Sequence, residues 1–296
     1  MTSRVMLTLL ILSFGYTACL AASSVWTVTF KDEVVYLGGT IHVLRGSDYP
    51  LPQEFNVAYA RANEVLFETD IARLQQPEVQ KSLRERLRYD DGRTLSQVLS
   101  KEAYAELEIQ AQGMRIALSR FESSRPVAVL LGLLAVRLER LGVLADGVDE
   151  HFYAQALLDR KVIGSLESVE SQIAVLAAMG EGQESSFVIR SIEELEELQP
   201  LLEEAIAAWR VGDEDHLEGS LLARTKRNYP ALYHSLIVER NRAWLPKIEA
   251  LFAKPGREFV LVGVAHLVGD DGLLRQLREG GYSVQRLEYG GMDWDG

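Results

Sequence analysis

The sequence predicts an α/β (α+β) protein, in which a central mixed sheet is built from two strand–Gly-x-x-His–helix–strand halves with a large helical insertion between them. One observation behind this prediction is a repeated phrase, an apolar run followed by Gly-x-x-His, which ends at His42 and again at His266. The other is the apolar spacing of three and four residues over about 73–251, which is typical of amphipathic helices. We expect a single domain over 22–296.

The first half begins with two short runs of β-branched and aromatic residues, at 25–30 and 34–37, which are separated by charged residues and predict a hairpin. A helix is expected over 53–62, because prolines stand just before it and proline fits the first helical turn. The apolar run at 65–67 then predicts a buried strand that ends at Glu68. The order is therefore strand, Gly-x-x-His, helix, strand and glutamate.

The second half repeats this order. A strand over 259–262 leads into the second Gly-x-x-His, a helix is predicted over 271–279, and a strand over 284–287 ends in Glu288, which we expect to be exposed near the chain end. Within the helical insertion, one strand is predicted over 161–166. Helical crossovers make the two strands of each half parallel, and ligands bind outside the carboxyl ends of such strands.

Three side chains fall at these predicted carboxyl ends, namely His42, Glu68 and His266. Neutral imidazole and carboxylate together suit Mn²⁺, Co²⁺ or Zn²⁺, and three protein ligands leave a position for a water molecule that the metal activates. A lone Gly-x-x-His is more simply a hydrogen-bonded histidine in a tight turn, but the duplication favours a shared site. For Glu68 the alternative is a cap of the next segment, since burial of an unpartnered carboxylate is costly.

Arg240 lies in a predicted helix, where its guanidinium would hold a substrate carboxylate or stabilise an oxyanion; the alternative is an exposed helix arginine. Asp149 would reach a metal or cap a helix, and capping is the favoured interpretation. The sequence has no His-Glu-x-x-His, no Gly-x-Ser-x-Gly, no phosphate loop and no dinucleotide fingerprint. Any chemistry therefore depends on histidine, carboxylates and arginine, with or without a metal.

The composition, with 47% hydrophobic and 25% charged residues in a chain of 296, is that of a globular protein with a sizeable core. A formal net charge of −12 at pH 7 repels phosphate backbones, so we expect no nucleic-acid partner. Residues 1–21 combine Arg4, a short apolar run and an alanine-rich end, which predicts a signal peptide and a periplasmic or secreted protein. The single cysteine, Cys19, lies there, so membrane attachment is expected only through an uncleaved signal or a lipidated Cys19.

The two Gly-x-x-His phrases, Glu68 at a strand end and Arg240 in a Glu-Arg-Asn stretch together resemble the TraB/PrgY/GumN family over nearly the whole chain after the signal segment. That family includes the Tiki proteins, proposed as metal-dependent proteases that act on secreted signals. The resemblance implies that His42 and His266 match the family histidines and that Glu68 and Arg240 match its glutamate and arginine. Further family landmarks are matched at Gly147-Val148-Asp149 and Leu166-Glu167. The export signal points to the bacterial GumN-like branch.

Three functional hypotheses follow from these residues. The leading one is an exported metal-dependent, peptidase-like hydrolase in which His42, His266 and Glu68 hold the metal. Arg240 would stabilise the negative charge that develops on the substrate. The second hypothesis keeps the cleft without a metal and uses either histidine as a general base, oriented by Glu68. The third is a protein that binds a peptide or glycan without turnover. The expected partner is a peptide or another small extracellular molecule.

Overall fold

The computed structural model describes residues 22–143 and 145–289. The predicted signal segment, 1–21, lies outside these residues. Six strands form one mixed sheet in the order β6-β4-β7-β2-β1-β8, and β3 and β5 pair separately. The strands are β1 (Ala22–Phe30), β2 (Glu33–Thr40), β3 (Val43–Leu44), β4 (Glu64–Phe67), β5 (Ala145–Asp146), β6 (Val162–Ser165), β7 (Arg257–Gly263) and β8 (Ser283–Glu288).

Five of the six strands run in the same direction, and the adjacent strands β6, β4, β7 and β2 bring four carboxyl ends side by side at one edge of the sheet. β7 runs parallel to both of its neighbours, β2 and β4, and β6 runs parallel to β4. β1 is antiparallel to β2 on one side and to β8 on the other. The two halves interleave, because β7 of the second half lies between β2 and β4 of the first. The two strands of each half share a direction, as expected, although they are not neighbours.

Helices cover the sheet and fill the insertion. In chain order they are α1 (Gln53–Arg61), α2 (Ile71–Leu74), α3 (Pro77–Arg86), α4 (Leu95–Val98), α5 (Lys101–Gly113), α6 (Pro126–Arg140), α7 (Val148–Asp159), α8 (Val169–Ala177), α9 (Glu184–Glu196), α10 (Leu198–Val211), α11 (Glu214–Leu217), α12 (Ala223–Asn228), α13 (Pro230–Tyr233), α14 (Glu239–Leu251) and α15 (Leu273–Glu279). A π-helical turn, His234–Val238, runs directly into α14, and a 3₁₀ turn, Val264–His266, follows β7. None of the helices in the described ranges is long and apolar enough to span a membrane.

In the described residues the apolar core has a large sheet cluster, a helical cluster, and a third small cluster around Val79, Val169 and Ile173. In the sheet cluster, Phe55, Phe152 and Phe259 pack around one another with ring centroids 5.8 to 6.3 Å apart. The helical cluster is separate and is built mainly from α5, α6 and α9, with fully buried residues such as Leu107 and Leu133. The insertion therefore supplies its own apolar interior instead of only covering the sheet.

The predicted fold class is confirmed, and its elements differ from expectation mainly at their ends. The helix predicted from 271 begins at Leu273, because Gly269 to Gly272 form a turn in which the Gly272 N–H donates to the Gly269 carbonyl at 3.1 Å. The strand predicted over 161–166 is β6, which pairs with β4. Glu288 is exposed, as expected. The boundaries of a single domain stay a prediction.

Candidate active site

The two Gly-x-x-His phrases lie side by side at the carboxyl ends of β2 and β7. Thr40 pairs with Gly263 in the parallel register, so both histidines follow their strands into one region. The first phrase needs glycine at position 39, because a Cβ on Gly39 would lie 2.7 Å from Cγ2 of Val264 in the second phrase. Trp209 also fixes this backbone, since its Nε1 donates to the Gly39 carbonyl at 2.6 Å. The close packing of the two Gly-x-x-His phrases therefore restricts which residue can stand at position 39.

Gly263 marks the space that the predicted site residues face. A Cβ built on Gly263 would lie 3.2 Å from Oε1 of Glu68, 3.6 Å from Nε2 of His42 and 3.8 Å from Cδ2 of His266. Because glycine has no Cβ, these three side chains surround a small space, which we call the Gly263 cradle. The fold thus brings together three residues that are far apart in sequence.

A buried carboxylate orients His42. Asp149 Oδ2 lies 2.8 Å from His42 Nδ1, and the side chains of Asp149 and His42 are 8% and 62% exposed, respectively. The contact forms because Gly147 allows the start of α7 to approach β2: a Cβ there would lie 2.3 Å from the His42 carbonyl oxygen. The Val148 N–H donates to the Ile41 carbonyl at 3.1 Å and holds this approach. His42 Nδ1 therefore faces Asp149, and Nε2 faces the Gly263 cradle.

Arg240 joins the ends of β4, β6 and β7. Its Nη2 donates to Glu68 at 2.6 Å and to Glu167 at 2.7 Å, and its Nε donates to Glu167 at 3.3 Å. Its Nη1 lies 3.0 Å from Nε2 of His266. Four of the five N–H groups of the guanidinium are thus used within the protein. The side chain is only 11% exposed, so the alternative of an exposed helix arginine is wrong.

Asn241 determines which nitrogen of His266 carries the proton. Its Nδ2 donates to the carbonyls of His266 and Asp271, at 3.0 and 2.8 Å. The amide oxygen of Asn241 therefore faces His266 Nδ1, at 2.7 Å, and can only accept a hydrogen bond. His266 consequently carries its proton on Nδ1, and its Nε2 accepts a hydrogen bond from Arg240. Asn241 is itself fully buried.

Trp244 packs against both His266 and Arg240. Its fully buried ring lies 4.5 Å from the His266 ring, centroid to centroid. The guanidinium carbon of Arg240 lies 4.5 Å from the Trp244 ring centroid, a distance at which a cation is attracted to the aromatic face. Trp244 therefore shields one side of the ion pairs from water.

The surroundings shift the pKa values of the three cradle residues in different directions. The Asp149 carboxylate raises the pKa of His42 above its usual value, against the opposing effect of burial, and Glu68 adds to the rise. Burial lowers the pKa of His266 to about 3, and the charge of Arg240 acts in the same sense. For Glu68, burial alone raises the pKa, but the charges of Arg240 and His42 and the Gly263 N–H outweigh it, and the pKa is lowered to about 2. At neutral pH, Glu68 is ionised and His266 is neutral.

The donor types predicted for a metal are present, but most of the donors are engaged. Glu68 accepts the Gly263 N–H at 2.7 Å through Oε1 and Arg240 through Oε2, and His266 Nε2 accepts from Arg240. Across residues 22–143 and 145–289, no group of three or more His, Cys, Asp or Glu side chains is arranged to hold a metal ion. A guanidinium beside His266 Nε2 also repels a cation. This arrangement does not fit a bound metal, and the Mn²⁺, Co²⁺ or Zn²⁺ predicted from sequence stays a prediction.

Comparison with known proteins identifies the family. The TraB/PrgY/gumN family model matches residues 24–286. The chain belongs to this family. YbaP of Escherichia coli strain K12 and YbaP of Shigella flexneri, both described as uncharacterized proteins, are each 25% identical over 244 residues, which cover 82% of this chain and 87% of theirs. No solved structure matches the chain. The family resemblance drawn from the two phrases is therefore confirmed.

In this family member, three interpretations of single residues are wrong. Asp149 does not cap α7 with its side chain, because its carboxylate is turned to His42. Glu68 does not cap the following segment either, since the side chain that accepts the Arg73 N–H at the start of α2 is that of Asp70. Glu68 also orients neither histidine by a ring hydrogen bond, because Asp149 serves His42 and Asn241 serves His266.

Asn241 is the site residue that the sequence reasoning missed. The only available signal was its position directly after Arg240, in a helix whose next turn carries the apolar Trp244. Glu167 was matched only as a family landmark, and the structure gives it a partner in Arg240. The roles predicted for His42, His266, Glu68 and Arg240 as ligands or catalysts stay predictions, although the structure places all four together.

Proposed function

We propose that this family member is a hydrolase in which His42 and Asp149 activate a water molecule at the Gly263 cradle, without a resident metal. One observation carries the proposal: an exposed imidazole is held at 2.8 Å by a buried carboxylate, and its second nitrogen faces the cradle. A carboxylate that fixes one ring nitrogen and leaves the other free is the arrangement of a general base in hydrolases on many folds.

The proposed reaction uses the neutral form of His42, which is the minor form at neutral pH because the pKa is raised, so the rate should increase with pH. Nε2 takes a proton from water, the resulting hydroxide attacks the carbonyl carbon of an amide or ester, and Asp149 stabilises the imidazolium that forms. The same Nε2–H then passes the proton to the leaving nitrogen or oxygen, so that protons balance over the cycle. Glu68 Oε1 lies on the other side of the cradle, where it can accept a hydrogen bond from the attacking water.

Arg240 acts differently from the sequence-based expectation in this scheme. Its charge is balanced by Glu68 and Glu167, and one N–H of the guanidinium has no partner among residues 22–143 and 145–289. We therefore assign it mainly to holding the ends of β4, β6 and β7 in register. A direct contact between Arg240 and the substrate oxyanion belongs to the same proposal and would use this remaining N–H.

The substrate and the location complete the proposal. We propose a peptide or another small extracellular molecule as the substrate, and a periplasmic or secreted location. The support is the signal-like segment at 1–21 and the family to which the chain belongs. Fractionation of the producing cells tests the location, because the proposal requires the processed protein outside the cytoplasm.

The decisive experiment incubates the purified protein with a mixed peptide library and scans for cleavage by mass spectrometry, with and without a chelator. Cleavage that persists in chelator and is lost in His42→Ala supports the proposal. His216→Ala is the matched control, because it removes an exposed imidazole outside the candidate site. Activity lost in chelator and restored by Mn²⁺, Co²⁺ or Zn²⁺ would support the metal-dependent hydrolase instead. Capture of peptides without cleavage would support the binding protein.

A further inference from the structure

An apolar cavity of about 340 Å³ lies in the helical part of the chain. It is bounded by α6, by α9 and by the stretch from α12 to the π-helical turn at His234–Val238. None of its lining residues belongs to the Gly263 cradle or accepts a hydrogen bond from Arg240. Its volume equals that of roughly eleven water molecules, at about 30 Å³ each, which exceeds the small voids of a close-packed interior.

The walls of this cavity are mostly apolar, with polar side chains at Ser191, Glu194, Thr225 and Tyr229. Val127, Leu130 and Leu134 line one side from a single face of α6, and Phe187 and Leu195 of α9 lie on another. A water molecule needs two to four polar partners to be stable in such a space. Cavities of this size with mostly apolar walls are typical of sites that bind small ligands. The walls therefore favour an alkyl chain.

One carboxylate lies in this mostly apolar lining. Glu194 lines the cavity from α9 and is half-buried. Within the described ranges its carboxylate takes part in no side-chain hydrogen bond or salt bridge, because Arg224 pairs with Glu197 at 2.7 Å instead. Burial raises the pKa of Glu194, and the charges of Arg224 and Arg190 oppose this rise, although neither is within salt-bridge distance in the described ranges. A cationic group brought in by a ligand would supply a directly hydrogen-bonded partner.

We propose that this cavity binds an amphiphile with one alkyl chain and a protonated amine, with the chain among the leucines and the ammonium at Glu194. The chain would displace poorly bonded water, and the ammonium would form a charge-assisted hydrogen bond with the carboxylate. An alcohol of the same length keeps the apolar contacts only. A fatty carboxylate would place two negative charges together, so the order of affinity is amine, alcohol, carboxylate.

The test measures binding of octylamine, 1-octanol and octanoate to the full chain at pH 7 by calorimetry, below their micelle concentrations. We expect the amine to bind about tenfold more tightly than the alcohol, the ratio that a modest charged hydrogen bond provides. Glu194→Gln should remove this preference and leave the binding of octanol unchanged. Equal affinity for the three probes, or an amine preference that survives in Glu194→Gln, would overturn the assignment.

A second variant checks the location. Leu134→Trp places a large ring inside the cavity and should abolish the binding of both octylamine and octanol. Leu158→Trp is the control, because Leu158 is 77% exposed on α7, outside the cavity lining. Circular dichroism establishes that each variant is folded. Unchanged binding in a folded Leu134→Trp would refute the site, as would the absence of saturable binding in the wild type.

Discussion

Replacement of Asp149 by asparagine tests the His42–Asp149 pair most directly. Asparagine keeps the shape of the side chain, and its amide oxygen still accepts the hydrogen bond from His42 Nδ1, which lies 2.8 Å away. The variant removes only the negative charge. Because that charge is the largest cause of the raised pKa of His42, the pKa should fall. The fold should survive, since no contact is lost and no atom is added.

The expected size of the pKa change follows from the exposure of the His42 ring. A hydrogen bond to a charged group contributes about 1.5–3 kcal/mol, and solvent screening brings an exposed ion pair below that range. His42 is 62% exposed, so we take about 1.4 kcal/mol, which moves the titration midpoint down by about one pH unit. In the native protein the stabilisation from this pair is fully present below about pH 6.5 and is lost as the pH rises through the raised pKa of His42. The variant should therefore be least stable, relative to the wild type, below pH 6.5.

The assay is an NMR titration of the histidine ring protons in the wild type and in Asp149→Asn. If the proposed hydrolysis occurs, the rise of the rate with pH should also shift to lower pH, and the maximal rate should fall because the forming imidazolium loses its counterion. An unchanged His42 midpoint would refute the electrostatic reasoning, whatever the activity.

Three further substitutions test the rest of the site. Arg240→Ala leaves two buried carboxylates without their partner and should lower the free energy of unfolding by about 3–5 kcal/mol, measured by urea denaturation. A loss below about 1 kcal/mol would contradict the role of Arg240 in holding the ends of β4, β6 and β7 together. Gly147→Ala places a methyl group 2.3 Å from the His42 carbonyl and should separate His42 from Asp149, so the His42 pKa should fall without a change of charge. Asn241→Ala should lower the free energy of unfolding by about 1–3 kcal/mol, and ¹⁵N spectra should show that His266 no longer keeps a single tautomer. An unaltered His266 spectrum would contradict the role of Asn241.

Acid denaturation should reflect two buried groups. The lowered pKa of Glu68, about 2, stabilises the fold above the pKa of an unfolded glutamate, about 4.3, and this contribution is lost as the pH falls toward 2. The lowered pKa of His266 acts in the same direction, because the unfolded chain binds a proton below about pH 6.5 and the folded site does not. Stability should therefore decline from about pH 6.5 downward. Stability that increases as the pH falls below about 6.5 would contradict both assignments.

Local patterns in the sequence were sufficient to predict most helices and strands and to predict which edge of the sheet carries the site. The repeated Gly-x-x-His and the glutamate after 65–67 specify which residues follow strands, because strand ends are short-range features. Since parallel strands expose their carboxyl ends at one edge, His42, Glu68 and His266 could be expected to meet. The interleaving of the halves was not predictable, because strand pairing depends on packing between segments that are far apart in the chain.

The chain itself thus determined the duplicated phrase, the helical insertion and the chemical types of the site residues. Only the tertiary structure decided their partners. Gly147 brings Asp149 to His42 across a separation of 107 residues, and the fold brings Arg240 to Glu68 across 172. A hydrogen bond depends on distances of a few tenths of an ångström and on which lone pairs are already in use. The spacing of residues in the sequence does not specify these quantities. Side chains whose types suit a metal ion, Glu68 and His266, therefore accept hydrogen bonds from Arg240 in the folded protein.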